Sequence, residues 1–304
     1  MSNTSESPSQ NPVLGVFWML VTGLLFVAVT GVVRYVGTEL PAAQAAFLRY
    51  VLGLVFLIPM IRPTLAAKLA RRDWAIFTLR GVAHTGAVIL WFFAMARIPI
   101  AEVTAMNYMA PVYVTLGAAL FLGEGLARRR ILAIGAAVLG ALIILRPGFR
   151  ELSAGHIGMV FAALLFGVSY LSAKVTADRV SPAVVVGMLS VTVTIGLAPF
   201  AWAVWIEPTW PQIGWMFVLA ILATAGHYTM TMALAAAPVT VTQPVTFLQL
   251  IWATLLGAVF FGEGIDGWVI MGGAIIIGAI SYLTWREAML KRQVITPPHV
   301  ATKY

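Results

Sequence analysis

Apolar positions along this chain come in long unbroken runs, with polar residues confined to short punctuation between them. A bilayer is crossed by a helix of about 20 apolar residues. Windows of that kind fall near 13–36, 43–61, 73–96, 101–122, 130–146, 155–175, 183–206, 212–235, 240–261 and 268–285. Between them stand Pro41, Arg62-Pro63, Arg71-Arg72-Asp73, Pro99, Gly123-Glu124-Gly125, Arg146-Pro147-Gly148, Pro182, Glu207-Pro208, Pro238 and Gly262-Glu263-Gly264. Proline and glycine end helices, and charge marks water. The pattern predicts an all-α integral membrane protein of about ten transmembrane helices.

The pattern also repeats. Phe121-Leu122-Gly123-Glu124-Gly125 returns as Phe260-Phe261-Gly262-Glu263-Gly264, and Pro99 returns as Pro238, both displaced by 139 residues. Leu24-Leu25-Phe26 matches Leu164-Leu165-Phe166 at an offset of 140, as Arg34 matches Lys174 and Pro59 matches Pro199. A constant spacing over so many landmarks indicates an internal duplication. Each half holds about five spans, an odd number, so the halves insert with opposite topology, an architecture that places a substrate site near the midplane. The expected divisions are a polar tail at 1–12, a first five-helix repeat at 13–147, a second at 148–287, and a tail at 288–304.

Composition agrees with a membrane setting: 61% of the 304 residues are hydrophobic, 10% are charged, and the mean hydropathy is +0.95. A soluble domain could not cover its surface with so few polar side chains. The chain has no cysteine, which excludes disulfides, thiolate metal sites and a cysteine nucleophile. His84, His156, His227 and His299 are too scattered to suggest a metal site. A net charge of +8 reflects loop lysines and arginines and not nucleic-acid binding, because no basic run is interleaved with aromatics. Thirteen of these residues lie in loops on the side of the N-terminus and four on the opposite side. By the positive-inside rule both termini are expected in the cytoplasm. Met1–Pro12 lacks the basic start and cleavage site of a secretory signal.

Together these features resemble the drug/metabolite transporter superfamily, specifically its EamA-type ten-helix members. The carriers are the paired Gly-Glu segments that close helices 4 and 9, the first helix of each half ending in Arg34 or Lys174, and Leu48-Arg49-Tyr50 in helix 2. The resemblance spans Val13 to Glu287 and includes the aromatic amino-acid exporters. It implies export of amino acids or other small metabolites across the bacterial inner membrane by alternating access.

Polar groups inside spans are costly and therefore informative. Helix 3 carries Arg80, His84 and Trp91 on one face, and helix 4 carries Asn107 and Tyr108. Helix 6 adds Ser169 and Tyr170, helix 8 adds His227 and Tyr228, and helix 9 adds Gln249. A shared central cavity would gather His84, Trp91, Asn107, Tyr108, Tyr170, His227, Tyr228 and Gln249 as substrate-binding residues. Interhelical hydrogen bonding and interface belts are the competing reading of such residues. Glu124 and Glu263, beside glycines at span ends, are expected to cap the helices that follow them. No zinc-protease, nucleophile-elbow or nucleotide-loop motif occurs, so an intramembrane enzyme is not expected, and no cofactor is implied. Aromatic faces with neutral hydrogen-bonding groups suit an aromatic or large apolar amino acid. Purines, sugars or drugs carried by the same scaffold, or a passive channel, are the alternatives. A monomer in the bilayer is the expected functional unit.

Overall fold

The computed structural model describes residues 11–37, 39–121, 128–149, 151–177, 180–237, 239–246 and 248–295. Every long element among them is helical: α1 (Pro12–Val36), α2 (Ala42–Gly53), α3 (Ile58–Ala66), α4 (Arg71–Met95), α5 (Ile100–Asn107), α6 (Ala110–Phe121), α7 (Arg128–Leu145), α8 (Ala154–Ala177), α9 (Pro182–Ala203), α10 (Trp210–Ala236), α11 (Val239–Thr246), α12 (Leu248–Phe261) and α13 (Gly267–Ile295). A single 3₁₀ stretch, Leu54–Leu57, joins α2 to α3. These segments make ten passes, with α2–α3, α5–α6 and α11–α12 each counted as one crossing. Among the described residues seven stretches, α5–α6 taken as one, are long and apolar enough to span a membrane unaided, and Ala42–Leu57 and Leu248–Phe261 are shorter apolar helices. The passes begin and end within a few residues of the runs read from the sequence. The last one differs: α13 continues to Ile295 through residues read as spanning only to 285.

The outer surface is apolar along the middle of the bundle, with Val82, Leu120, Ile195 and Val259 all more than half exposed. Such a surface has its match in lipid and not in water. Trp202, Trp205, Trp210, Trp268 and Trp285 stand exposed at or near helix ends, as interface anchors do.

Packing follows the duplication. Displacement by one half carries α1 onto α8, α4 onto α10 and α7 onto α13. The main contacts are α4 with α8, α1 with α10, and α7 with α13, so each maps onto another or onto itself. The same holds for α6 with α8 and α12 with α1, and for α4 with α9 and α10 with α2. Each half therefore finds its principal partners in the other.

Helices in lipid gain nothing from hiding apolar surface from water, so small residues that let backbones approach carry the association. Gly81 faces Thr192 and Gly196 faces Thr85, locking α4 to α9. Gly140 on α7 and Gly272 on α13 each lie against the other's carbonyl, with Ile276 and Ile144 filling the flanks. A side chain at either position would meet main chain, which cannot move aside. Gly135, also on α7, has nothing within 4 Å of its would-be Cβ. Gly140→Leu is therefore expected to destabilise the protein by about 1–3 kcal/mol, the usual range for overpacking, while Gly135→Leu leaves it unchanged. Thermal unfolding of the two variants in detergent measures the difference, and equal losses would show that the α7–α13 contact is not tight.

Candidate functional site

One pass is broken inside the membrane. α5 stops at Asn107, and the chain turns through Tyr108 and Met109 before α6 begins at Ala110. Pro111 has no N–H to return to the Asn107 carbonyl. Main-chain groups freed in such a turn need new partners, since lipid offers none. Tyr108 also ties the turn to the other half: its hydroxyl donates to the Thr246 carbonyl of α11 at 3.0 Å. The neighbouring Asn107 amide oxygen is buried and accepts no hydrogen bond among the described residues. Interrupted helices inside the membrane are where carriers of inverted-repeat architecture bind their substrates.

Beside the turn lies a polar cluster from α2, α4 and α8. His84 is 8% exposed, with Nε2 3.0 Å from the Tyr50 hydroxyl and Nδ1 3.0 Å from Ser169 Oγ. A neutral imidazole has one donor and one acceptor nitrogen, and these two hydroxyls use both. The ring of Phe166 packs edge-on to His84 at 5.2 Å, and Tyr170 stacks on Phe166 at 5.9 Å. Arg80, one turn before His84, is 7% exposed and donates to the Val185 carbonyl of α9 at 2.8 Å. It does not reach back to the membrane surface. The Arg49 guanidinium lies over the Tyr50 ring, 4.2 Å from its centre. On α10, His227 donates from Nδ1 to the Ala223 carbonyl at 2.7 Å and meets Phe26 of α1 edge-on at 5.2 Å.

The remaining expected site residues are placed less centrally. Trp91 is half-buried, packs at the edge of the core and touches Phe92. Gln249 is half-buried in α12. Tyr228 is 66% exposed, unlike the buried Thr229 beside it, which bonds Thr22 of α1. The structure thus draws His84 and Tyr170 into one aromatic group and ties Tyr108 to α11 of the other half.

The two ends of the bundle differ. At the end opposite the start of α1, α5 packs on α12, whereas the equivalent pair, α6 and α11, makes no comparable contact among the described residues. On the side where α1 begins, a cavity of about 260 Å³ opens between α6, α7, α8 and α13, with Thr115, Tyr170, Leu283 and Thr284 in its wall. The far end is closed by charge. Glu263 lies 3.0 Å from Arg34, off-line for a hydrogen bond but close for an ion pair, and accepts from the Ile100 N–H at 2.8 Å. Arg34 donates in turn to the Met95 and Ile98 carbonyls at 2.7 and 3.3 Å. Glu102 and His156 form a second buried link at 2.6 Å. Because the Ser153 N–H donates to Nδ1 of that histidine, Nε2 carries the hydrogen that Glu102 accepts. A third pair, Arg146 with Asp266, joins the end of α7 to the start of α13.

Glu263 thus caps α5 in the other half. The helix that follows it, α13, is capped by Asp266, which accepts from the Trp268 N–H at 2.9 Å. This corrects the reading from sequence, which assigned the Gly-Glu carboxylate to the next helix in the chain. Glu124 lies outside the described residues. Arg34 and Glu263 were both visible as landmarks of the duplication, and the missing information was that each faces the other's half. His156 and Glu102 carried no sequence signal beyond their position at span starts.

The chain matches the model of the "EamA-like transporter family" twice, over residues 13–146 and 153–285. It is 32% identical over 288 residues to a riboflavin transporter of Rhizobium johnstonii, covering 92% of this chain and 94% of that protein. It is 26% identical to the pseudopaline exporter CntI of Pseudomonas aeruginosa, covering 87% and 94% of the two chains. Identity to an S-adenosylmethionine uptake transporter of Rickettsia bellii is 22%, over 92% and 97%. A crystal structure at 18% identity superimposes with a TM-score of 0.56 over 93% of this chain and 99% of that one, which supports the fold.

Burial pushes the Glu263 carboxyl above its ordinary range, against the Ile100 N–H and Arg34, which pull it down, while Glu102 adds to the rise. A carboxyl raised in the folded state favours folding while protonated, so its contribution falls as pH climbs from the ordinary value through the raised one. Melting temperature followed from about pH 4 to 8, a range that brackets carboxylate titration, should decline for this group. Glu263→Gln keeps an acceptor for Ile100 and should flatten that component. Arg34→Gln removes the cation that favours the charged form and should move the decline to higher pH. A profile unaltered by both substitutions would mean that Glu263 does not titrate in this window.

Proposed function

Because the chain belongs to the EamA-like transporter family, we propose that it is an alternating-access carrier that exports small aromatic metabolites, aromatic amino acids foremost, across the bacterial inner membrane. The family and its transporter relatives make it a multi-pass membrane transporter and point away from an enzyme. The substrate and the direction are the proposal. The observation that carries it is the turn after Asn107, tied by Tyr108 to Thr246 of the other half, beside the Tyr50–His84–Ser169 cluster and the Phe166–Tyr170 stack. Aromatic surface with a few fixed hydrogen-bonding groups orients a flat ring and its polar substituents. Tyr170 links this cluster to the open cavity, so a solute entering from that side meets an aromatic face first. His84, Trp91, Asn107, Tyr108, Tyr170, His227, Tyr228 and Gln249 are the residues assigned to the path. A second reading, a flavin ring as cargo, is favoured by the relative named as a riboflavin transporter.

Counterflow into proteoliposomes loaded with unlabelled solute separates these readings. Labelled tryptophan or phenylalanine should exchange, and Tyr170→Ala should slow them at least several-fold. Exchange of riboflavin alone would select the flavin reading. Exchange of neither, with glucose exchanging instead, would reject an aromatic cargo.

In this proposal both termini are cytoplasmic, as the distribution of loop lysines and arginines requires, and the cavity beside Tyr170 opens inward. The absence of native cysteine makes a direct check available. A membrane-impermeant thiol reagent should label Tyr170→Cys and Thr284→Cys in inside-out vesicles and not in spheroplasts. Val88→Cys should stay unlabelled in both, because Val88 is 5% exposed in the core. Labelling of Tyr170→Cys from the periplasm would reverse the orientation.

A further inference from the structure

Among the described residues, two guanidinium groups inside the bundle have no acid to answer them. Arg80 is 7% exposed, bonds one carbonyl through Nη1, and leaves its buried Nε without an acceptor. Arg49 rests on the Tyr50 ring and makes no hydrogen bond or ion pair among the described residues. Tyr50 joins them: its ring carries Arg49, and its hydroxyl bonds His84, which stands one helical turn from Arg80. The buried carboxylates among the described residues are placed elsewhere. Asp73 accepts from the Ala70 N–H two turns from Arg80, toward the end of the bundle where α4 begins, and Glu102 and Glu263 serve the opposite end. Arginine keeps its charge under all physiological conditions. Buried cations are ordinarily paired or coordinated, since an uncompensated charge in a medium of low polarity is costly.

We propose that Arg49 and Arg80 flank an oxyanion subsite at Tyr50–His84, and that the cargo is an aromatic compound bearing a carboxylate or a phosphate. This rests on the carrier reading above and narrows it: the ring lies against Phe166 and Tyr170, and the acid lies between the guanidiniums. The planar fork of arginine fits either oxyanion, and each group has N–H donors to spare. A cationic compound meets repulsion at the same place. A neutral compound leaves both charges uncompensated.

Matched compounds that differ only in the acid test this in proteoliposomes holding the full chain. One pair is indole-3-acetate and indole-3-acetamide; the other is flavin mononucleotide and riboflavin. The acid of at least one pair should be transported about ten-fold faster than its neutral partner, and the pair that shows the preference identifies carboxylate or phosphate as the group held. Arg80→Gln and Arg49→Gln should each abolish the preference, and Arg80→Lys should retain part of it. A measurement without cargo accompanies this: relieved of a buried charge, both glutamine variants should melt at or above the wild-type temperature, and the preferred acid should raise the melting temperature of wild type alone. Neutral partners transported as fast as the acids in both pairs, or a preference that survives both substitutions, would overturn the subsite and leave the carrier standing. No flux of any of the four compounds would reject the aromatic carrier and the subsite together, and continued anion-induced stabilisation of the glutamine variants would place anion binding elsewhere.

Discussion

A helix interrupted within a bilayer frees carbonyl and amide groups that lipid cannot satisfy, and the contact between the halves answers that constraint. The interruption here follows Asn107, where the chain turns through Tyr108 and Met109 before α6 begins. Tyr108 supplies a donor to the main chain at Thr246 of the other half, and Asn107 stands beside it with its amide oxygen unused. Such a turn would not be stable against lipid. Held against the other half, it creates a polar place within an apolar bundle, which is where a passenger can exchange its water for protein.

The duplicated architecture explains why such a place can serve both sides of a membrane. Helix pairs map onto one another when the halves are exchanged, yet the two ends of the bundle are not equivalent. Ion pairs Arg34–Glu263, Glu102–His156 and Arg146–Asp266 hold one end shut, and α5 rests against α12 there. The equivalent approach of α6 to α11 is missing among the described residues, and a cavity occupies that end. Since the halves share a plan, the closed arrangement at one end is a template for what the other can adopt. Transport needs only that the two ends take turns.

Much of this was legible in the sequence, because the bilayer imposes a length on every span. Run length located the passes, and a constant offset between Arg34 and Lys174, or Glu124 and Glu263, revealed the duplication. Helical spacing set His84 and Arg80 on one face of α4. What spacing does not encode is which helix a face will meet. Glu263 caps α5, some 160 residues upstream, because the halves interlock, and no local rule predicts it. The interruption after Asn107 was also missed, although Pro111 signalled it, since a run of apolar residues looks the same whether or not its hydrogen bonds are continuous. Nor does spacing show that the carbonyl holding Arg80 is that of Val185, on another helix.

Gly140 and Gly272 belong to α7 and α13, the last helix of each half. The ribosome completes the first half well before the second, so the groove at Gly140 waits without its partner until the final pass is inserted. α1 and α4 wait as well, for α10 and α8. The first five passes therefore enter the bilayer as an open set of helices whose proper neighbours do not yet exist. Completion of the protein is an event of its last helix, and a chain that stops short of α13 presents quality-control proteases with a glycine-lined seam that has nothing to close it.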